Sequence, residues 1–189
     1  VPKIEPQTAG CNCNLSWLAM PLAEQLVRAI ASAPASALLY YMFSQSFRLL
    51  SSYTAYFFTL FLTWTLVVVV FKKVLVGTFK PGNYSFGSSW FFIRELFVSI
   101  LGEWFGAGGD FWLGSAYMNS MVRWLGGRVG HGAVIEGVLS EIDLVQVGEG
   151  SIVEEGAMVQ PHTFEHRVMK CQPIKIGKMC IVGSGSTLL

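Results

Sequence analysis

Charge is scarce in this 189-residue chain. Lys, Arg, Asp and Glu together make up 13% of it, about half of the roughly 25% usual for a soluble domain. The net charge is only +1, which excludes a polybasic surface that binds by neutralising phosphates, and with it a nucleic-acid partner. There are four cysteines, too few for a dense disulfide scaffold. There are three histidines, which bounds any histidine-based metal site. Apolar residues are what the chain has in excess: 52% are hydrophobic and 14% aromatic, with a mean hydropathy of +0.50. A disordered chain has the opposite composition. These numbers fit a membrane protein, or a soluble-facing unit joined to a membrane part.

The apolar excess is uneven. From Leu49 to Phe71 the sequence LLSSYTAYFFTLFLTWTLVVVVF carries no charge. A helix rises about 1.5 Å per residue, so this stretch can cross a hydrocarbon core ~30 Å thick. Lys72 and Lys73 follow at once, and a positive flank favours the cytoplasmic side. A second candidate runs from Met20 to Phe43. Pro21 suits its first turn, and Pro34 predicts a kink. Glu24 and Arg28 are spaced to pair on one face. Ala31, Ser32, Ala33, Ala35 and Ser36 allow close helix approach in lipid. The polar run Ser44-Gln45-Ser46 can turn the chain. The expectation is a polar linker over 1–14, then a transmembrane helical hairpin over 15–73 with both outer ends cytoplasmic. One span plus an interfacial helix is the alternative.

Residues 74–128 read as interfacial and amphipathic helices. The stretch WFFIRELFVSILGEWF is dense in aromatics, but Arg94, Glu95 and Glu103 interrupt it, which suits a helix lying at a membrane surface. Between Ser115 and Leu125, Met118, Met121, Val122 and Leu125 fall on one helical side. The polar start at Val1, without methionine, reads as the middle of a longer protein. Cys11 and Cys13 are spaced too tightly for the usual zinc pair.

From residue 129 the period changes to six. Val129, Ile135, Val147, Val153 and Val159 share one phase, and Ile176, Val182 and Leu188 share another. Small or modest residues follow four positions later, at Ala133, Val145, Ser151, Ala157, Thr163, Cys180 and Ser186. Glycine often comes directly after the aliphatic residue, as at Gly130, Gly148, Gly177 and Gly183, where it suits a tight turn. This is the hexapeptide pattern of a parallel β-helix, in which each coil is stabilised by stacking on its neighbours. The predicted fold is a membrane α-helical segment followed by a left-handed parallel β-helix over 129–189, incomplete at its last coil. A loop insertion over 165–175 does not fit the hexads. Glu141 stands where the phase asks for an aliphatic residue, and Ile142 and Leu144 point to a local register shift.

Three stretches resemble the terminal region of nonribosomal-peptide-synthetase-like proteins of the polylysine synthetase type. They are GTFKPGNY from Gly77 to Tyr84, WLGGRVG from Trp124 to Gly130, and HTFEHRVMK from His162 to Lys170. The hexads are also similar to the hexapeptide acyltransferase superfamily. The resemblance covers most of residues 49–189. It implies a modular protein whose upstream adenylation and carrier domains deliver an activated acyl or aminoacyl group to an amine or hydroxyl acceptor. The donor would be linked to phosphopantetheine or coenzyme A and supplied by a partner domain, with no cofactor held in this segment. It further implies a homo-oligomer, integral to the membrane, with the β-helix on the cytoplasmic side. The alternative is a non-catalytic anchor and docking or oligomerisation platform for the upstream domains.

Acyl transfer needs a base, and His162 at the edge of the insertion is the candidate. Glu165 or Glu154 could orient its ring. Arg167 could hold a carboxylate or phosphate by two contacts, and Lys170 and Lys175 could do so as point charges. The plainer reading of His162 is a turn residue bonded to loop backbone. A zinc site built from His131, His162 and His166 resembles the gamma-class carbonic anhydrases, but the spacing departs by one residue, and no metal is expected. Cys180 reads as inward packing, and Cys171 as a loop thiol that could act as a nucleophile. Glu136, Glu141, Asp143, Glu149, Glu154 and Glu155 read mostly as a solvated outer face.

Overall fold

The structure, a computed structural model, describes residues 14–45, 48–106 and 109–189. Cys11, Cys13 and Ser46 lie outside the described residues, as does the expected linker up to residue 13. Helix α1 spans Asn14–Ser44 and α2 spans Leu49–Phe71, which runs on into a π-helical turn, Lys72–Val76. The two pack antiparallel: the Thr63 hydroxyl donates to the Ala31 carbonyl at 2.7 Å, and the rings of Phe43 and Tyr53 meet nearer the turn. Ala31 and Ala35 are fully buried, and their small side chains permit this approach. Helix α1 continues through Pro34 as one element, so the proline does not end it. Arg28 pairs with Glu103 of the next helix, not with Glu24. Leu22, Leu26, Leu50, Phe57, Phe58 and Leu66 all point outward, each more than half exposed. Both helices are long and apolar enough to cross a membrane.

A short strand, β1 (Gly82–Ser85), leads into α3 (Ser89–Gly106). Helix α3 packs against both α1 and α2. It buries Phe97, Ile100 and Trp104, and the Trp104 indole N–H donates to the Thr65 hydroxyl of α2 at 3.0 Å. Helix α4 (Ala116–Trp124) is capped by Ser115, whose hydroxyl accepts from the Met118 N–H, a usual N-cap arrangement. Met118, Met121, Val122 and Leu125 are buried, as their spacing predicts. Asn119 donates to the Ala133 carbonyl at 2.6 Å and ties α4 to the first strands beyond it.

Those strands form three parallel three-stranded sheets, each taking one strand from each of three successive passes of the chain. The first sheet holds β2 (Arg128–Val129), β5 (Val145–Val147) and β10 (Ile174–Ile176). The second holds β3 (Val134–Ile135), β6 (Ile152–Val153) and β11 (Ile181–Val182). The third holds β4 (Val138–Leu139), β7 (Met158–Val159) and β12 (Thr187–Leu188). Register stacks Val129 on Val147 on Ile176, and Ile135 on Val153 on Val182. The six-residue phase is therefore a stacking register, with one exception. In the third stack the first-pass residue is Leu139, paired with Val159, and position 141 is displaced from the sheet.

The glycines after the aliphatic positions serve close approach more than turn geometry. A Cβ on Gly148 would lie 2.1 Å from the Gly177 carbonyl oxygen of the next pass. Any side chain there would hold the passes apart. Cys180, expected as inward packing, is exposed in the third pass. The expected loop over 165–175 is an ordered hairpin that begins earlier. Strands β8 (His162–Glu165) and β9 (Val168–Cys171) pair antiparallel, and β1 adds to the far edge of β9. His166 and Arg167 turn the hairpin with positive φ, 49° and 63°, the geometry of a primed two-residue turn.

The helical and stranded parts meet at a buried ion pair. Lys72 is 2% exposed, and its ammonium lies 2.6 Å from Asp143 Oδ2. The Phe79 N–H donates to the same oxygen at 2.9 Å, and the Gly77 carbonyl also accepts from Lys72. Asp143, expected on a solvated face, is thus inside the structure. Removing one member of a buried pair strands the other charge. Asp143→Ala is expected to destabilise the fold by about 3–5 kcal/mol, while the double change Lys72→Met with Asp143→Leu recovers most of that loss. Thermal unfolding in detergent measures both, and an Asp143→Ala protein as stable as the parent would contradict this account.

Candidate active site

The site grows from the break in the six-residue phase. The first pass reaches its third strand early, at β4, and the surplus residues leave the sheet through Ser140 and Glu141 into a 3-10 turn, Ile142–Leu144. Glu141 adopts φ 33° and ψ 58°. A left-handed backbone is uncommon for a residue with a side chain, and such strain persists only where the surroundings hold it. Here the holding groups are visible. The Glu141 side chain has no solvent exposure. Its Oε1 accepts from Arg94 Nε at 2.9 Å and from Nη2 at 2.5 Å. Its Oε2 lies 2.6 Å from His162 Nδ1.

Arg94 reaches this position from α3 and also donates to Glu95. His162 comes from the first residue of β8, so the hairpin carries it to the site. Its Nε2 lies 2.8 Å from the side-chain nitrogen of Gln160. With Nδ1–H donating to Glu141, Nε2 is the accepting nitrogen and the Gln160 amide donates to it. This assignment follows from the hydrogen-bond network.

A pocket of about 460 Å³ opens between α3 and strands β4 and β7, with Arg94, Glu141, Gln160 and His162 at one end. Its walls are apolar: Phe79, Phe97, Leu101, Phe105, Val138 and Met158. A mostly apolar cavity with a few convergent polar groups is the usual form of a small-molecule site. The carboxylate–imidazole pair fixes one tautomer and leaves the other nitrogen as a hydrogen-bond acceptor, the role a buried carboxylate has in a catalytic triad. Arg94 supplies the opposite charge that a buried carboxylate needs as a partner.

The structure brings His162 together with residues that the sequence did not single out as its partners. Glu165 sits on the outer end of the hairpin and pairs with Lys170. The Lys170 ammonium, by hydrogen bond and by charge, holds the Glu165 carboxyl below its ordinary value. Glu154 accepts from the Ser184 N–H at 2.8 Å. Neither orients the His162 ring; Glu141 does. Arg167 lies in the hairpin turn with its guanidinium 6.0 Å from the Phe86 ring centroid. Arg167 lies at the hairpin turn and Lys170 opposite Thr163 in β9, and neither lines the pocket. Both ring nitrogens of His162 bond to side chains, so it is not a turn histidine held by loop backbone. Among the described residues, no group of three or more His, Cys, Asp or Glu is placed to hold a metal ion.

Two signals could have found the missing partners. Glu141 violates an aliphatic phase, and Arg94 interrupts an aromatic helix. A charge that breaks an apolar pattern needs a partner, and these two are each other's.

Cys171 lies opposite His162 in the register of β8 and β9 and is fully buried. Burial first, then the nearby Glu141 charge, pushes its thiol from 9.0 up to about 11, with Arg94 opposing. It is therefore a neutral thiol at physiological pH and unsuited to nucleophilic attack, which requires the thiolate. The raised value has the sign of an acid whose charged form is disfavoured, so ionisation waits until the pH nears 11. Iodoacetamide at pH 8 should modify exposed Cys180 and leave Cys171 untouched in the folded protein, as peptide mass mapping would report. Equal labelling of the two thiols would overturn the assignment.

No family model, no curated protein and no solved structure matches this chain.

Proposed function

We propose that the chain is a membrane-anchored acyl or aminoacyl transferase-like module of a nonribosomal-peptide-synthetase-like protein, with His162 as its general base. One observation carries this reading: a histidine whose Nδ1 faces a buried carboxylate, 2.6 Å away, at the polar end of an apolar pocket. The donor is a phosphopantetheine- or coenzyme A-linked thioester brought by an upstream carrier domain. An amine or hydroxyl acceptor takes the place of the Gln160 amide at Nε2. Its lone pair attacks the thioester carbonyl carbon while Nε2 accepts its proton. The tetrahedral adduct then collapses, the carbon–sulfur bond breaks, and the imidazolium returns the proton to the departing thiolate. The products are an amide or ester and a free thiol. Glu141 acts on the imidazole, holding the ring and stabilising its charged form.

In the same reading α1 and α2 form a transmembrane hairpin. Their outward apolar side chains support it, since a core helix of a soluble protein would cover them. Lys73 at the end of α2 favours placing the stranded part on the cytoplasmic side. The three parallel sheets with stacked aliphatic residues support a left-handed β-helix of the hexapeptide type. Carbonate washing of membranes should leave the protein in the pellet, and release into the supernatant would contradict the anchor.

The catalytic reading is tested by release of free thiol from acyl- and aminoacyl-pantetheine thioesters, with a primary amine as acceptor and the protein in lipid nanodiscs. A positioned base contributes about 10²–10⁴-fold, so His162→Gln should lower the rate by about 100-fold or more. Glu141→Gln should lower it as well, by loosening the ring. A His162→Gln protein that works at the parental rate removes His162 from the mechanism. If the parent protein binds a carrier domain yet turns over no thioester, the anchor-and-docking reading takes its place.

A further inference from the structure

The charges lining the pocket are already paired with one another. Glu141 uses one oxygen for Arg94 and the other for His162. Arg94 uses its remaining nitrogen for Glu95. An aminoacyl group brings an α-ammonium, and a lysyl group brings a second cation. Either would need an unpaired carboxylate in the pocket, because a buried charge without a partner is strongly disfavoured. The lining offers none. What it does offer is an aromatic and aliphatic wall from α3, where Phe97, Val98, Leu101 and Phe105 fall on one side, faced by Val138 and Met158. Gly102 lies on the same side of α3 and lines the pocket. A Cβ built there would meet nothing within 4 Å, so the wall has open space in front of it.

We infer that the pocket binds an uncharged, extended apolar chain, and that the donor is a fatty-acyl thioester with its carbonyl at His162 and its chain along α3. This rests on His162 being the reacting end of the pocket, as proposed above, and narrows the acyl or aminoacyl donor to the fatty-acyl class. The neutral polar groups beside His162, the Gln160 amide above all, suit an uncharged carbonyl. The apolar walls suit a methylene chain, whose transfer out of water is favourable in proportion to the area covered.

The experiment uses the full chain in phospholipid nanodiscs and a dodecanoyl-pantetheine carrying a diazirine on its acyl chain. On illumination, label is expected on the α3 peptide that contains Leu101 and Phe105. Unlabelled dodecanoyl-pantetheine should compete for it in the presence of bilayer lipid, and lysyl-pantetheine should not. Gly102→Phe fills the open space without disturbing the helix, and should weaken labelling about tenfold while the thermal unfolding midpoint is retained. His162→Gln should label like the parent, because binding does not need the base. Label spread over the surface of α1 and α2, label that dodecanoyl-pantetheine does not compete for, or undiminished label in a folded Gly102→Phe protein would overturn the inference. His162-dependent turnover of lysyl-pantetheine without α3 labelling would also overturn it, yet leave the transferase reading standing. Competable α3 labelling without turnover of any thioester would uphold the binding inference and remove the transferase reading.

Discussion

Burying the charge of Glu141 is the constraint on which the rest of this structure depends. A carboxylate with no solvent exposure is tolerable only if charge and hydrogen bonds surround it. Arg94 can supply them only if α3 lies across the third parallel sheet. His162 can supply them only if the hairpin of β8 and β9 folds back toward the same point. The left-handed backbone of Glu141 is held by the contacts its own side chain makes. One residue thus draws together a helix, a sheet corner and an inserted hairpin, and the cavity beside it is the space those three elements enclose.

Next to that corner lies a second buried pair. Asp143 sits in the turn that begins one residue after Glu141, and Lys72 reaches it from the end of α2. The turn that presents the site carboxylate is therefore also the turn that fastens the long apolar helices to the stranded part. Such pairs are poor sources of net stability, yet removing one partner is costly because it leaves the other charge buried alone. Here both pairs join the helical layer to the turn that leaves the third sheet.

Much of the fold was legible in the sequence because its elements follow simple periods. An uninterrupted apolar run of this length, between Leu49 and Phe71, reads as a helix, and α2 is one. A six-residue repeat of Val and Ile specifies stacked parallel strands, and the structure stacks those same residues. The face of α4 with Met118, Met121 and Val122 was readable for the same reason. The site was only half legible. His162 stood out as a chemically versatile residue at a pattern boundary, but its partners lie far away in sequence, on other elements. Periodicity says nothing about such meetings. Glu165 looked close to His162 along the chain, yet strand alternation and the hairpin turn carried it to Lys170. Glu141 and Asp143 looked like surface carboxylates because an isolated acidic residue between strands usually is one. Only Arg94 of α3 and Lys72 just after α2, both far away in sequence, make them internal.

Strand β1 has an implication for how the molecule can be divided. It comes from the segment between α2 and α3, yet it completes the antiparallel sheet that carries His162, pairing along the whole of β9 from Gly82 opposite Cys171 to Ser85 opposite Val168. A piece beginning at the first parallel strand would keep every repeated pass. It would leave β9 with a bare edge able to recruit foreign strands, and Glu141 without Arg94. The visible boundary in the sequence, where the period changes, is therefore not a seam in the molecule. Recombination at that boundary would separate halves that share one sheet and two buried ion pairs.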